Sequence, residues 1–269
     1  MIETPFLARQ ERFAVVTSTN DVVRGWLDTG EPEVCLAVAD EQSAGRGREG
    51  RTWSAPAGRA LLLSLGFRPT WLEPDRVWRL AATVSMAMAD AAEEAAFLAD
   101  RAVRLKWPND LVVEGPADGG IRKLAGVLGE TEGLGGADPT AIIGIGVNAD
   151  WPAAEFPVEL AADMTSLREA SGGRPVELAA LLDAFLSRLE FRIEALRAGR
   201  FDVGDYVDRQ LTTGRLVRLV GHDGGSAAVR ALRVDAVTGA LVVEDDTAPA
   251  GERSVFSGEI RHLRLGEAV

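Results

Sequence analysis

Arg46, Arg48 and Arg51 alternate with Gly45, Gly47 and Gly50 in the stretch EQSAGRGREGRTW, residues 41–53, and only Glu49 interrupts the pattern. Glycine lets main-chain amides approach a bound anion closely, and guanidinium forks match the oxygens of carboxylates and phosphates. The stretch therefore has the composition of a loop that grips a small anion, with a solubilising surface loop as the competing reading. In TSTND, Ser18, Thr19 and Asn20 precede a helix and could either bond a ligand or cap that helix. In RLKWPNDLVV, Lys106, Asn109 and Asp110 surround a Trp-Pro step. That step biases Trp107 towards extended backbone and sets Asn109 and Asp110 on a turn between two strands.

Two further stretches add single groups. RKLAGVLGE carries Lys123 beside the small residues Ala125 and Gly126 in a strand-like run, which would set an amine against whatever approaches that backbone. GIGVNAD ends an apolar strand with Asn148, either a ligand-bonding amide at the sheet edge or a turn-forming asparagine. Each stretch alone has a plain structural explanation. Five in one chain are more specific than any one of them.

The elements that must hold these groups read as a mixed core. EVCLAVADEQ, RALLLSLGFRP and TAIIGIGVNAD are short apolar runs ended by turn or polar residues, as buried strands are. Residues 73–100 open on Pro-Asp, are rich in alanine, and place Val77, Leu80, Ala81, Val84 and Met88 at helical spacing. Residues 175–199 repeat the pattern with Leu178, Leu181, Leu182, Phe185, Leu189 and Ile193, and Gly199 ends the run. Strands and helices thus mix through about residue 210. After YVDRQLTTG the chain changes to short alternating runs separated by Gly-Gly, Thr-Gly and Ser-Gly turns, which predicts a small all-β barrel or sandwich. The glycine-rich stretches at 115–120 and 133–139 read as connections.

Composition narrows the field. A formal net charge of -12 opposes general attraction to nucleic acid, so a lone basic loop points to a small anion. The single cysteine, Cys35, lies in an apolar run and reads as core. The two histidines, His222 and His262, have no ligand-like spacing, which argues against zinc. The N-terminus lacks the basic and apolar regions of a secretory signal, and no window approaches the roughly 20 apolar residues of a membrane span. The expectation is a cytoplasmic protein with no membrane partner.

Taken in order, TSTN, EQSAGRGREGRTW, KWPNDL, RKLAGVLGE, GIGVN and TSL at 165–167 resemble the biotin protein ligases, the biotin-[acetyl-CoA carboxylase] ligase family, over nearly the whole chain. The resemblance implies an α+β fold. A class II synthetase-like catalytic core with a mixed sheet and helices would span residues 1–210, and a small SH3-like β-barrel residues 211–269. It implies an enzyme that joins biotin to ATP, with Mg²⁺ accompanying the nucleotide and no protein metal ligands assigned. Biotinyl-5'-AMP would then pass its biotinyl group to one lysine of a biotin carboxyl carrier domain of an acyl-CoA carboxylase.

By motif position the resemblance implies that Ser18, Thr19, Asn20 and Gln42 bond the ureido end of biotin and that Lys123 reaches its carboxylate or the activated acyl group. Arg46, Gly47 and Arg48 belong to the loop that closes over ligand; Arg48, Arg51 and Trp53 address the adenylate, and Asn109 and Asn148 complete the nucleotide side. Lys123, Arg48 and Asp110 are the candidate catalytic residues, with Asp110 orienting or accepting a proton from the acceptor lysine. Like-charge repulsion among the loop arginines is expected to keep the loop mobile until ligand arrives.

Three departures from the family pattern stand out. Glu49 occupies a position where many relatives carry a basic or another polar residue. The stretch Val113 to Ile121 exceeds the usual compact hairpin, and the chain before Ser18 is too short for the winged-helix domain of bifunctional members. The last implies a ligase without repressor activity. The rival readings are a lipoate or octanoate ligase of the same fold and a non-catalytic biotin-sensing regulator.

Overall fold

The computed structural model of the protein describes residues 5–115, 120–220, 225–256 and 258–262. His222, the centre of the long connection between Val113 and Ile121, and residues 263–269 of the C-terminal β-unit lie outside them.

The three apolar runs form adjacent strands. β2 (Cys35–Gln42), β3 (Ala60–Phe67) and β7 (Thr140–Asn148) lie at the centre of a seven-stranded sheet with β1 (Arg9–Val16), β4 (Arg104–Lys106), β5 (Asp110–Glu114) and β6 (Ile121–Glu132). The order is β1-β2-β3-β7-β6-β5-β4, and only β1 and β2 run parallel. Every residue of β3 is buried because helices cover both faces, which explains why this strand reads as an unbroken apolar run. Helix α1 (Thr19–Asp28) joins β1 to β2 and sets Val23, Trp26 and Leu27 against Cys35, Ala37 and Ile142 on one face. Helices α2 (Trp78–Ala95) and α4 (Leu178–Arg197), the latter preceded in the chain by the single-turn α3 (Leu167–Ala170), pack against each other on the opposite face, over a core that includes Leu65, Leu80, Val84, Phe185 and Leu189.

Helix α2 is shorter than its pattern predicts. A 3-10 turn at Pro74–Arg76 precedes it, and its end is closed by Phe97, whose φ of 53° is left-handed. Leu98 N bonds Glu93 O and Phe97 N bonds Glu94 O, the paired closure that usually selects glycine. Helix α4 closes in the same way with Gly199 at φ 76°. Cys35 is fully buried; burial pushes its thiol up to about 11, in keeping with a core role.

Behind the sheet, α2 is joined to α5 (Val203–Asp208) and the following segment through one guanidinium. The Arg209 side chain is 3% exposed and uses all of its N–H donors. It bonds both oxygens of Glu93 (2.9 and 3.1 Å), Asp90 (2.6 Å), Asp205 (3.1 Å) and the Val103 carbonyl (2.9 Å). Burial opposes its charge, but the hydrogen bonds to Glu93 and the charges of Glu93, Asp205 and Asp90 outweigh burial and hold it protonated. Arg192 bridges the same Asp90 and Asp205, each at 2.7 Å.

Arg209 begins the passage to the C-terminal unit. Leu105 N bonds Arg209 O and Leu211 N bonds Leu105 O, both at 2.8 Å, so this segment runs beside β4. Beyond it β8 (Leu216–Val220), β9 (Ser226–Val234), β10 (Leu241–Glu244), β11 (Glu252–Val255) and β12 (Glu259–His262) form an antiparallel sheet in the order β11-β10-β9-β8-β12. The small β-domain is therefore present, and among the described residues its sheet runs from β11 at one edge to β12 at the other. Its β9–β10 turn, tied by Asp235 to the amides of Val237 (2.9 Å) and Thr238 (2.7 Å), rests on the main core. There the Gly239 carbonyl accepts from Trp107 Nε1 at 3.1 Å, and a Cβ on Gly239 would meet Trp78 at 2.8 Å.

Replacing Arg209 with alanine strips buried Glu93 of its cation and leaves Asp90 and Asp205 to Arg192 alone, and the expected loss is about 3–5 kcal/mol. The exposed Arg12–Asp40 pair is the control, where the same change is expected to stay within about 1 kcal/mol. Urea unfolding of both variants checks the contrast.

Candidate active site

The N-terminus of α1 opens onto a buried polar cluster. Ser18 occupies the N-cap position, yet its side chain makes no capping bond. The Thr19 amide donates to Gln42 Oε1 at 2.8 Å, and the Thr19 hydroxyl donates to the same oxygen at 3.1 Å. Thr19 and Ser64 hydroxyls share a bond of 2.6 Å, and Ser64 donates to Asn20 Oδ1. Asn20 in turn donates to Glu130. Ser18, Thr19, Asn20 and Ser64 are all buried. The sequence singles out four members of this cluster, Ser18, Thr19, Asn20 and Gln42. Ser64 and Glu130 are additions from the fold; Ser64 is detectable as the polar residue inside the run LLLSLGF.

Bare backbone makes the cluster possible. Gly144 lies opposite Ser64 on β3 and Leu128 on β6, and a Cβ there would collide with Asn20 Oδ1. Gly126 and Gly146 face each other across β6 and β7, forming a smooth patch. The indole of Trp53 lies on it, so that a Cβ on Gly146 would come within 2.5 Å of the ring and one on Gly126 within 3.1 Å. The alternation of glycines in GIG, at the two-residue period of a strand, is the sequence signal for this floor.

Lys123 reaches the same face through a bulge. Leu111 pairs with Ala125 but Val112 with Lys123, so Leu124 is an extra residue that turns Lys123 onto the side of Gly126. Its Nζ stands 5.4 Å from the Trp53 ring centroid and 2.7 Å from Asp110 Oδ1. Lys106 lies 4.0 Å from the other Asp110 oxygen. The expected turn between β4 and β5 thus places Asp110 between two ammonium groups.

The glycine-arginine stretch is a hairpin. Arg46 pairs with Thr52, Gly47 N bonds Arg51 O at 2.7 Å, and Trp53 N bonds Gly45 O at 2.9 Å. At its tip Glu49 (φ 55°) and Gly50 (φ 72°) are both left-handed, as the tight turn between twisted strands demands. The three arginines have separate partners, contrary to the repulsion expected from composition. Arg46 bonds both oxygens of Asp21 (2.7 and 2.9 Å) and lies 3.6 Å from Glu130. Arg51 reaches Glu49 at 3.5 Å, and Arg48 reaches the Gly258 carbonyl of the β-domain at 3.4 Å. The hydrogen bond from Arg46 holds Asp21 below its usual carboxylate range, so this clasp persists at neutral pH and is lost only in acid.

Beneath the hairpin lies a cavity of about 910 Å³. Arg46, Arg48, Arg51, Lys106, Asn109 and Asp110 line it. Asn109 and Asn148 are partly engaged by backbone: Asn109 Nδ2 bonds Val127 O at 2.8 Å, and buried Asn148 Nδ2 bonds Thr165 O at 3.0 Å. Asn148 thereby joins the end of β7 to the TSL segment, whose backbone flanks Lys123 through Lys123 N to Asp163 O (2.7 Å) and Thr165 N to Lys123 O (2.9 Å). The structure brings Ser18, Thr19, Asn20, Gln42, Trp53, Lys123 and Asp110 together around the glycine floor. Arg48, Arg51 and Asn109 stand on the cavity, and Asn148 serves the wall behind Lys123. Glu130, which Asn20 bonds, lines the cavity and joins the buried cluster to it; the cluster, the lysine-carboxylate pair and the arginine hairpin together can orient a polar head group and hold anionic groups beside it.

Residues 12–148 match the model of the biotin/lipoate A/B protein ligase family. Biotin--[acetyl-CoA-carboxylase] ligase of Mycobacterium tuberculosis is 32% identical over 233 residues, covering 85% of this chain and 79% of that protein. The bifunctional ligase/repressor BirA of Bacillus spizizenii is 34% identical over 158 residues, 59% of this chain and 46% of that protein, so the chain matches about half of its length. Among solved structures, biotin protein ligase from Aquifex aeolicus in complex with biotin and ATP superposes with a TM-score of 0.74 at 25% identity, covering 97% of this chain and 100% of that one. The Leishmania major biotin protein ligase in complex with biotinyl-5-AMP superposes with a TM-score of 0.59 at 25% identity, covering 97% and 100%.

Gly144→Ala drives a methyl into Asn20 and is expected to cost about 1–3 kcal/mol. Gly129→Ala, whose Cβ would find Ile143 at an ordinary 3.5 Å, is expected to be neutral or slightly stabilising. Thermal unfolding of the two variants side by side measures whether the floor is required to be bare.

Proposed function

The chain belongs to the biotin/lipoate A/B protein ligase family, and we propose that it activates biotin with ATP and transfers the biotinyl group to a lysine of a biotin carboxyl carrier domain of an acyl-CoA carboxylase. The observation that carries the choice of biotin is the buried hydrogen-bonding cluster of Thr19, Asn20, Gln42 and Ser64, with buried Ser18 next to it in the chain. A ureido ring offers donors and an acceptor to these groups. A dithiolane or alkyl end offers nothing comparable and would cover them without bonding them, which costs far more than a missing methylene.

In this reading Ser18, Thr19, Asn20 and Gln42 take the ureido end, and Trp53 with Gly126 and Gly146 forms the wall along the ring and tail. This assigns Trp53 to the biotin side as well as the adenylate. Lys123 takes the carboxylate and, after activation, the acyl oxygen. Arg46, Gly47 and Arg48 cover the ligand; Arg48 and Arg51 take the phosphate, with Asn109 on the nucleotide and Asn148 bracing the adjoining wall. Attack of a carboxylate on the α-phosphate requires two anions to be held together, and the fixed cations supply that stabilisation. Among the described residues no group of three or more His, Cys, Asp or Glu side chains could hold a metal. Mg²⁺ fits as an ion carried by the nucleotide phosphates, lowering their mutual repulsion.

Residues 1–210 form the catalytic unit and residues 211–269 the β-unit in this reading. No helix among the described residues is long and apolar enough to cross a membrane. Dependence on ATP and a carrier protein places the activity in the cytoplasm, with small-molecule and protein partners and no nucleic acid.

Purified protein with ATP and Mg²⁺ is expected to release pyrophosphate with biotin and not with lipoate or octanoate; release with another acid alone overturns the substrate. Asp110→Asn is expected to slow transfer to the carrier domain about 100-fold, with a smaller effect on adenylation. Rapid-mixing assays of the two half-reactions separate the effects, and equal losses remove Asp110 from the transfer step.

A further inference from the structure

The chain holds 29 lysines and arginines together, and lysine accounts for two of them, Lys106 and Lys123. Arginine fills the remaining positions, from the exposed Arg12–Asp40 pair to the buried cluster around Arg209. A guanidinium keeps its proton in proteins and has no lone pair with which to attack carbon, whereas a lysine amine gains one when its proton leaves. The fold brings both lysine amines of these 269 residues to a single carboxylate. Lys123, on β6, stands 2.7 Å from Asp110 Oδ1, and Lys106, at the end of β4, stands 4.0 Å from Oδ2.

In the reading above, this is where an activated acyl group rests. Biotinyl-5'-AMP is a mixed anhydride, and a neutral amine beside its acyl carbon is a sufficient nucleophile. Lys123 faces the acyl oxygen in that reading, and Lys106 lines the cavity on the other side of Asp110, on a flexible four-carbon stem. We propose, on the basis of that reading, that Lys106 is a self-acylation site and that its pairing with Asp110 suppresses the modification. The attack forms an amide bond between Lys106 Nζ and the acyl carbon and breaks the bond from that carbon to the phosphate oxygen. AMP leaves with the electron pair, and the amine proton passes to water. As an ammonium held at Asp110, Lys106 has no lone pair for this step. The arginines elsewhere offer no second target, so an adenylate that leaves the site meets no other lysine in its own chain.

Asp110→Asn, Asp110→Glu and the double variant Asp110→Asn/Lys106→Arg test this in the whole chain. Each is given chemically made biotinyl-5'-AMP and no carrier domain, so that adenylation is not needed, and the label is followed by intact mass and peptide mapping. Asp110→Asn is expected to be labelled about tenfold faster than wild type, on Lys106, as removal of one opposite charge at this range implies. Asp110→Glu, which restores the carboxylate, and the double variant, which removes the amine, are expected to return labelling to the wild-type rate or below it. Labelling of Asp110→Asn at the wild-type rate overturns the proposal, as does label on Lys123 or the N-terminal amine with Lys106 unmodified. Pyrophosphate release by wild-type protein with biotin, ATP and Mg²⁺ is measured alongside. Its absence overturns the functional reading and the proposal with it; its presence, with Lys106 unlabelled in Asp110→Asn, overturns the proposal alone.

Discussion

The burial of Arg209 among Asp90, Glu93 and Asp205 is the contact on which the arrangement of the molecule depends. A guanidinium out of water is tolerable only when its donors are met, and the carboxylates are tolerable there only with the cation between them. Satisfying both conditions brings the C-terminal half of α2, helix α5 and the chain after it to one point. The segment leaving Arg209 must then run beside β4, which carries Leu105 into the KWPND turn and places Asp110 at the cavity. It also directs the chain into the β-domain, whose β9–β10 turn returns to rest on Trp78 and Trp107. One saturated ion cluster on the covered face of the sheet thus decides what stands around the cavity.

Electrostatics at the site follow from the same economy of partners. The chain is acidic, and in this structure its cationic hairpin is held by carboxylates: Arg46 by Asp21 and Glu130, Arg51 by Glu49. Lys123 and Lys106 share Asp110. An anion entering the cavity therefore meets cations already fixed in position, which reduces the reorganisation needed to bind it. Glu49 acquires a purpose in this arrangement. It forms half of the left-handed tip of the hairpin and supplies a carboxylate to Arg51, where a basic residue would add to the repulsion.

How much of this could be read beforehand varied with the range of the interaction. The strands Cys35–Gln42, Ala60–Phe67 and Thr140–Asn148 and the end of α4 were readable because apolar period and a glycine stop are local signals. The end of α2 uses the same backbone closure with Phe97, a residue whose type gives no hint of left-handed geometry. Lys123 was identifiable as a lysine beside small residues, but its facing Asp110 depends on the extra residue at Leu124, which pairing alone reveals. Ser18 looked like a helix cap, and the position is indeed the N-cap. Its side chain makes no capping bond, and the Asp21 amide that such a cap would meet bonds the Ser18 carbonyl at 3.1 Å.

The family, the mixed α/β core followed by a small β-domain, and the stretches that carry the site are all legible in the amino-acid sequence. Those conclusions rest on residue type, period and order along the chain, all of which are local. Which groups share a face, which cations are neutralised and which polar atoms lack partners emerge only when the chain is folded. Arg209, Ser64 and Gly144 derive their significance from residues far away in the chain. Burial makes the difference, because the cost of an unmet donor or charge depends on the absence of water, and water is excluded only when distant segments close together.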